Sequence, residues 1–597
     1  MKSRKRLKLL CAVVLGFCGL PLWATTWYVR PDGGTRYSSG SPGQCDGKAD
    51  VAYPGKGKNR HCAFGDVRWL WQDGSYNTSQ SPPAWGWVIS GGDTVIIRGS
   101  IGTGVSWRVG WNSSSGALDK KTGLYYGLQG DPYGSGAPVP PSGTAAQHTR
   151  ILGENYANCH AASAKTQIHG GWAVLNVLNL SGASYVDVAC LDITDFSACG
   201  RSMQKTGCDS SQDFAQNGIL FSNKSTHDTL TDVRIHGMGT NGIYGPTGDG
   251  VVVDYIDLLG NASSGWNADR GDKTTGVGTL SVSHFNITGN GCAEEYPVVH
   301  PMPYGDCTDE NHGGYGDGFG TASVASEPPG WKISFDHGVV SYNTQDGLDA
   351  LHVSGSGSSL TVTNTLAYGN MGQQIKVGGA AVSLTHNEIM GNCGAMSEAI
   401  PGFPPGFNAR LSPFCRAGNV TVLVNVLPST AAIYQYNTMY TNGSIGLEVE
   451  YAETPTGTET MRYDHNIFVG FPGSDGRKPT PIYSNTNLKM FTNPGASFSH
   501  NITYHSRDNW KCPAAELHEV AGSCGDPHLK DETWPRYGYA DVSPTSATGQ
   551  VASPAKPSGS SHSSRASVAA TSAGVAILVT GLWGGVRYFA RRGAGSS

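Results

Sequence analysis

The sequence has no C-x-x-C spacing, no basic stripe, and no long stretch that reads as an amphipathic helix with a 3.6-residue period. The first absence argues against a zinc site or a thiol-redox motif. The second, with a formal charge of −5 and a pI near 6.4, argues against a nucleic-acid partner. The third leaves strands as the main element. Glycine is what the chain has in excess: 83 of 597 residues, about twice average usage.

Short β-branched runs recur between polar turns: Thr94-Val95-Ile96-Ile97, Val186-Asp187-Val188, Gly250-Val251-Val252-Val253 and Thr361-Val362-Thr363. Asparagine punctuates them at Asn364, Asn387, Asn437, Asn466 and Asn501, and Asn217-Gly218-Ile219 is echoed by Asn241-Gly242-Ile243. Stacked asparagines hydrogen-bond as ladders, and glycine supplies the positive φ of tight corners. Asn343 to Asn370, Leu348 to Ile375 and Asp349 to Lys376 share an offset of 27 residues. A constant period with apolar positions in register is the mark of stacked repeats. The expected fold is all-β, a right-handed parallel β-helix with long loop insertions, in which equivalent positions lie about 4.8 Å apart. A two-layer sandwich is the competing fold, but its strands have no reason to keep a 27-residue register.

The ends carry addresses. Residues 1–24 read as a secretory signal peptide: Lys2, Arg4, Lys5, Arg6 and Lys8 precede an apolar run from Leu9 to Leu22, and Ala24 is a small residue at the cleavage position. Residues 25–542 are assigned to the β-helix with an N-terminal cap, and residues 543–567 to a Ser/Pro-rich linker. Residues 568–586 have no charge and span a bilayer at about 20 residues. The tail, residues 587–597, holds Arg587, Arg591 and Arg592, which stay cytoplasmic by the positive-inside rule. The expectation is an exported monomer, periplasmic or on the cell surface, anchored at its C-terminus. The span with its arginine cluster also resembles bacterial C-terminal sorting signals.

Twelve cysteines remain after signal removal, an even number in an oxidising compartment. Sequence neighbours suggest Cys45–Cys62, Cys199–Cys208, Cys292–Cys307, Cys393–Cys415 and Cys512–Cys524, leaving Cys159 with Cys190.

One column of the repeat carries chemistry. Asp317-Gly318-Phe319-Gly320 is followed by Asp346-Gly347-Leu348-Asp349 and then by Gln373-Gln374-Ile375-Lys376. In a solenoid these segments stack, so Asp317 lies over Asp346 and Asp349 beside Lys376. Calcium takes six to eight hard oxygen ligands. Asp317, Asp346 and Asp349, with the Gln345 amide oxygen, offer such a set from two coils. A lysine beside a divalent ion is pushed toward its neutral form and can act as general base. On a uronic acid that chemistry is β-elimination: the C5 proton leaves, the C4–O4 bond breaks, and an unsaturated sugar end forms.

At these residues the sequence resembles the family 9 polysaccharide lyases, right-handed β-helix enzymes that include calcium-dependent pectate lyases. Their pattern is Asp-Gly-Phe, then Asp-Asp-Gly-x-Asp, then lysine before a hydrophobic residue and Gly-Gly. The counterparts here are Asp317-Gly318-Phe319, Gln345-Asp346-Gly347-Leu348-Asp349 and Lys376-Val377-Gly378-Gly379. The resemblance spans roughly residues 311–379. It implies Asp317, Asp346 and Asp349 as calcium ligands, Lys376 as the base, and an acidic polysaccharide as substrate. Gln345 stands where the family has the first aspartate of its pair, keeping an oxygen and losing a charge.

Each residue also has a plainer reading. Asp before Gly is common in turns, and an exposed Asp349–Lys376 pair would contribute only about 0–1 kcal/mol. His284, His337 and His386 recur at strand-like positions and read as structural. Trp266, Asn267, Asp269 and Arg270 could face a sugar, with the Arg270 guanidinium suited to a carboxylate. The alternative from another class is a non-catalytic scaffold for adhesion or glycan binding. A hydrolase or uronate epimerase on the same scaffold has less residue support, because hydrolases use paired acids flanking the bond.

Overall fold

The computed structural model describes residues 24–527, apart from short gaps and the longer segments 38–42, 72–85, 110–136, 196–214, 270–274, 292–315, 322–329, 392–419, 471–477 and 485–490. The assigned signal peptide up to residue 23, the linker, the span of residues 568–586 and the tail lie outside the described residues. Among the described residues no helix is long and apolar enough to cross a membrane.

The chain coils. Trp331–Ser341 is followed by Leu348–Ala350, then Ser359–Tyr368, then Ile375–Val377. Lys332 pairs with Ser359 and Leu348 with Ile375, both in parallel and both 27 residues on. Elsewhere the step varies, as from Phe319 to Leu348, because loops of different length are inserted between the same strands. The described strands form a 21-stranded sheet and a 10-stranded sheet. The larger sheet holds two columns, since strands such as Trp331–Ser341 bend midway and pair on both sides of the bend. The result is a parallel β-helix with three columns of strands. The in-register parallel pairing rules out the sandwich.

The core lies inside the coil. One inward line runs Val95, Ile151, Val188, Leu230, Val253, Val282, Phe335, Val362, Leu384, Tyr434, Tyr463 and Phe498, each paired with the next. The ten-stranded sheet contributes Leu178, Ile219, Ile243, Trp266, Phe319, Leu348, Ile375, Val422, Leu447 and Ile482. Burying each such side chain stabilises the fold by about 1.5–3 kcal/mol. Trp266 is therefore not a sugar platform: it is fully buried, and its indole N–H donates to the Gly245 carbonyl.

Asparagine ladders hold two corners. Asn387, Asn437, Asn466 and Asn501 pass side-chain hydrogen bonds of 3.0–3.2 Å up the stack. Asn261, Asn290, Asn343 and Asn370 do the same in a second ladder. Asn364 is not a rung. Thr365 takes that place, donating its backbone N–H to Asn387, while Asn364 sits at the bend with φ 49° and bonds Asp336.

The same bend explains the recurring histidines. Tyr255, His284, His337, His386, Tyr436, His465 and His500 all have φ between 48° and 59°. That region is costly for non-glycine residues. Their rings stack across coils, Tyr255 on His284 at 4.4 Å and His465 on His500 at 4.7 Å between centroids. Offset stacking returns about 0.5–1.5 kcal/mol per pair.

Two disulfides fall on the sequence-suggested pairs: Cys45–Cys62 with Cα atoms 5.1 Å apart, and Cys159–Cys190 at 5.6 Å. Cys524 is disulfide-bonded; Cys512, Cys199, Cys208, Cys292, Cys307, Cys393 and Cys415 lie outside the described residues.

Candidate functional site

Three coils of the ten-stranded sheet build the site. Phe319, Leu348 and Ile375 face inward in register, so the next residues outward, Gly320, Asp349 and Lys376, form a line on the outer face. Two positions before each inward residue stand Asp317, Asp346 and Gln373. The Gly318 N–H donates to the Asp346 carbonyl and the Gly347 N–H to the Gln373 carbonyl, which stacks these three residues directly.

The glycine after each aspartate serves the stacking. A Cβ on Gly318 would lie 2.4 Å from the Gly347 carbonyl oxygen, and one on Gly347 the same distance from that of Gln374. Asp-Gly here is not a turn cap but a close approach of one coil to the next, which brings successive aspartates over one another.

Each carboxylate divides its oxygens between fold and site. Asp317 Oδ1 accepts the Asp346 backbone N–H at 3.0 Å, and Asp346 Oδ1 accepts that of Gln373 at 2.6 Å. Asn241, in the same column two coils before Asp317, likewise accepts the Ser264 N–H at 3.2 Å. The two aspartates therefore occupy places that asparagine fills elsewhere. Asp349 Oδ1 accepts the Leu351 N–H. The remaining oxygens of Asp346 and Asp349 meet Lys376: its Nζ lies 2.5 Å from Asp346 Oδ2 and 2.9 Å from Asp349 Oδ2. Asp317 makes no ion pair among the described residues. One oxygen from each of Asp317, Asp346 and Asp349 lies within 4.8 Å of the others.

The electrostatics follow. Burial, then the neighbouring Asp346 and Asp349 carboxylates, push the Asp317 carboxyl well above the usual range. For Lys376, burial favours the neutral amine, but Asp346 and Asp349 outweigh it and hold the ammonium charged, its pKa above the ordinary lysine value. The exposed-pair reading does not survive: the Lys376 side chain is only 12% exposed and Asp349 15%. Three carboxyl groups stand together and only two of them pair with the single ammonium, an acidic excess in a set of hard oxygens, and that donor set fits calcium.

Gln345 is half-buried and precedes Asp346 on the same coil; its carbonyl accepts the Gly372 N–H at 2.7 Å. Arg270 lies outside the described residues. Asn267 is on the outer line, paired with Gly320, and its side chain accepts the Asp269 N–H.

Sequence reasoning missed two supports. A Cβ on Gly320 would lie 2.8 Å from Asp317 Oδ2, and one on Gly372 1.9 Å from Asp346 Oδ1. Both glycines leave room for a carboxylate. The 27-residue period places residue 372 beside that of Gln345, but only side-chain direction reveals the contact.

No family model and no curated protein matches the sequence. Among solved structures, the A-module of the mannuronan C-5 epimerase of Azotobacter vinelandii is 14% identical, over 66% of this chain and 89% of that one, with a TM-score of 0.36. The Dettilon tailspike protein is 12% identical over 66% of this chain and 62% of that one (TM-score 0.31). A rhamnogalacturonan lyase is 11% identical over 84% and 85% (TM-score 0.28). Likeness at this level bears on neither chemistry nor substrate.

Proposed function

We propose that this protein is an exported, membrane-anchored polysaccharide lyase on a right-handed β-helix, cleaving a uronate-containing glycan by β-elimination. The observation that carries the reading is the placement of Lys376 Nζ against Asp346 and Asp349, with Asp317 adjacent, on the outer face of three stacked coils.

Asp317, Asp346 and Asp349 would hold a calcium ion, and the Gln345 amide oxygen, from the same coil as Asp346, would add a neutral ligand. When bound, the ion supplies positive charge for the substrate carboxylate and for the enolate-like charge that develops next to it. As the neutral amine, the form that a neighbouring divalent cation favours over the ammonium, Lys376 would accept the C5 proton at Nζ. The electron pair of that C–H bond becomes the C4–C5 double bond as the C4–O4 bond breaks, and the departing O4 takes a proton from water. Asp349, directly opposite Lys376 in the parallel pairing, fixes the direction of the amine. Gly320 keeps the outer line clear beside Asp317.

A glycan-binding scaffold without chemistry is the second reading; what favours it is the double ion pair that keeps Lys376 charged. The test is an absorbance assay for unsaturated uronates over a panel of acidic polysaccharides, with calcium and with chelator. Calcium-dependent absorbance lost in Lys376→Ala supports the lyase. Binding of an acidic glycan with no absorbance on any member supports the scaffold.

A further inference from the structure

The column that carries Asp317 and Asp346 does not end with them. Gln373 fills the same place on the next coil, two positions before the inward Ile375. It is 9% exposed, yet its side-chain oxygen has no hydrogen-bond partner among the described residues. Its backbone N–H is spent on Asp346 Oδ1. Lys376, three residues on, directs its ammonium to Asp346 and Asp349. The earlier column members for which a side-chain bond is described give an oxygen to the next coil: Asn176 and Asn217 to the side-chain amide of the following asparagine, and Asn241, Asp317 and Asp346 to the backbone N–H of Ser264, Asp346 and Gln373. Gln373 breaks that pattern, and its longer side chain leaves an amide oxygen buried and idle on the coil stacked directly on that of Asp346.

A buried acceptor without a donor is costly, and calls for an unseen water or ion. The amide carbonyl is a hard, neutral oxygen of the kind calcium accepts alongside carboxylates. We infer that Gln373 is a further calcium ligand of this site, a neutral oxygen supplied by the coil that carries Lys376. The inference rests on the calcium component of the proposed function. It also gives a reason for an amide at this position: a third aspartate in the column would add another negative charge beside Asp346 and Lys376.

The experiment is calorimetric titration of the full chain with calcium alone, without glycan, so that the readout is affinity and not turnover. Gln373→Met keeps the length and removes the oxygen; calcium should bind about tenfold more weakly, the scale seen when a supporting partner of a metal site is lost. Gln373→Glu keeps an oxygen and should bind at least as tightly as wild type, which also covers the case in which the Met variant does not fold. Asp346→Asn in the same series should weaken binding whatever Gln373 does. Wild-type affinity in a folded Gln373→Met, with Asp346→Asn weakened, overturns the role of Gln373 and leaves the site standing. Gln373→Glu weakened as much as Gln373→Met also overturns it. Failure of the wild type to take up calcium overturns both this inference and the calcium component of the proposed function.

Discussion

Lys376 Nζ lies 2.5 Å from Asp346 Oδ2 across one coil boundary, and the same Asp346 carboxylate accepts the backbone N–H of Gln373 through its other oxygen. One side chain thus joins the stacking of the coils to the chemistry of the outer face. Substitutions here separate fold from function according to which oxygen they disturb.

Lys376→Ala should lower elimination by about 10²–10⁴-fold, the contribution of a positioned general base. It should also destabilise the protein, because Asp346 and Asp349 lose their shared ammonium. Removing one partner of a buried pair costs about 3–5 kcal/mol, and residual exposure of Asp349 puts the expected loss at the lower end. Lys376→Arg retains the charge and should melt near wild type while remaining almost inactive, since guanidinium does not give up its proton. Turnover in Lys376→Ala on a glycan that wild type cleaves would remove lysine from the mechanism.

Asp346→Asn keeps an oxygen for the Gln373 N–H and removes the charge. Calcium affinity should fall, excess calcium should partly restore the rate, and melting should fall less than in Lys376→Ala, because Asp349 still pairs with the ammonium. Asp346→Ala removes the acceptor as well, and should cost a further 1–3 kcal/mol or so for the unsatisfied buried amide. Equal melting of the two variants would show that the ladder bond is not structural. Gln345→Asp adds a charge on the same coil and should tighten calcium binding without creating a base.

Gly320→Ala places a methyl group 2.8 Å from Asp317 Oδ2. Asp317 has to move, so both calcium affinity and rate should fall with a small change in melting. Gly372→Ala is harsher, with 1.9 Å to Asp346 Oδ1 and 2.8 Å to the Gln345 backbone, and overpacking of this kind costs about 1–3 kcal/mol. Thermal melts paired with calcium titration compare the two; a Gly320→Ala protein with wild-type affinity would show that Asp317 tolerates the methyl.

Asp228 gives the stability of the coil a pH dependence. Burial, with Asp187 nearby, raises its carboxyl to about 7, although Oδ1 accepts the Val186 N–H; its Oδ2 has no partner among the described residues. Its folded pKa therefore exceeds the unfolded value, and the folded state holds the extra proton between the two. Stability from this group is present below the unfolded carboxylate pKa and is lost as pH rises toward 7. Asp228→Asn keeps an acceptor for Val186 and cannot ionise. Its advantage over wild type in denaturant melts should grow from pH 4 to pH 8; a constant difference across that range would mean the group does not titrate as described.

Some of this was legible in the chain. A fixed 27-residue offset in a parallel stack leaves one register, so Leu348 over Ile375 and Asp349 beside Lys376 follow from spacing alone. Asparagines at Asn387, Asn437, Asn466 and Asn501 ladder because the same amide recurs at the same corner. Cys45 and Cys62 meet because a short loop between near neighbours closes at little entropic cost.

Side-chain direction was not legible, because in a strand it alternates with each residue and a bend resets it. Asn364 looks like a rung and Trp266 like a platform; a left-handed bend turns the first out of its ladder, and register turns the second into the core. The sequence by itself determined the repeat, its period and which residue types share a column, since these depend on order along the chain. Only the tertiary structure decided that Lys376 is enclosed and charged, that Asp317 and Asp346 stand in asparagine places, and that Gly320 and Gly372 shelter them. Those properties depend on distances between atoms of different coils, where a few tenths of an ångström separate an ion pair from a solvated charge.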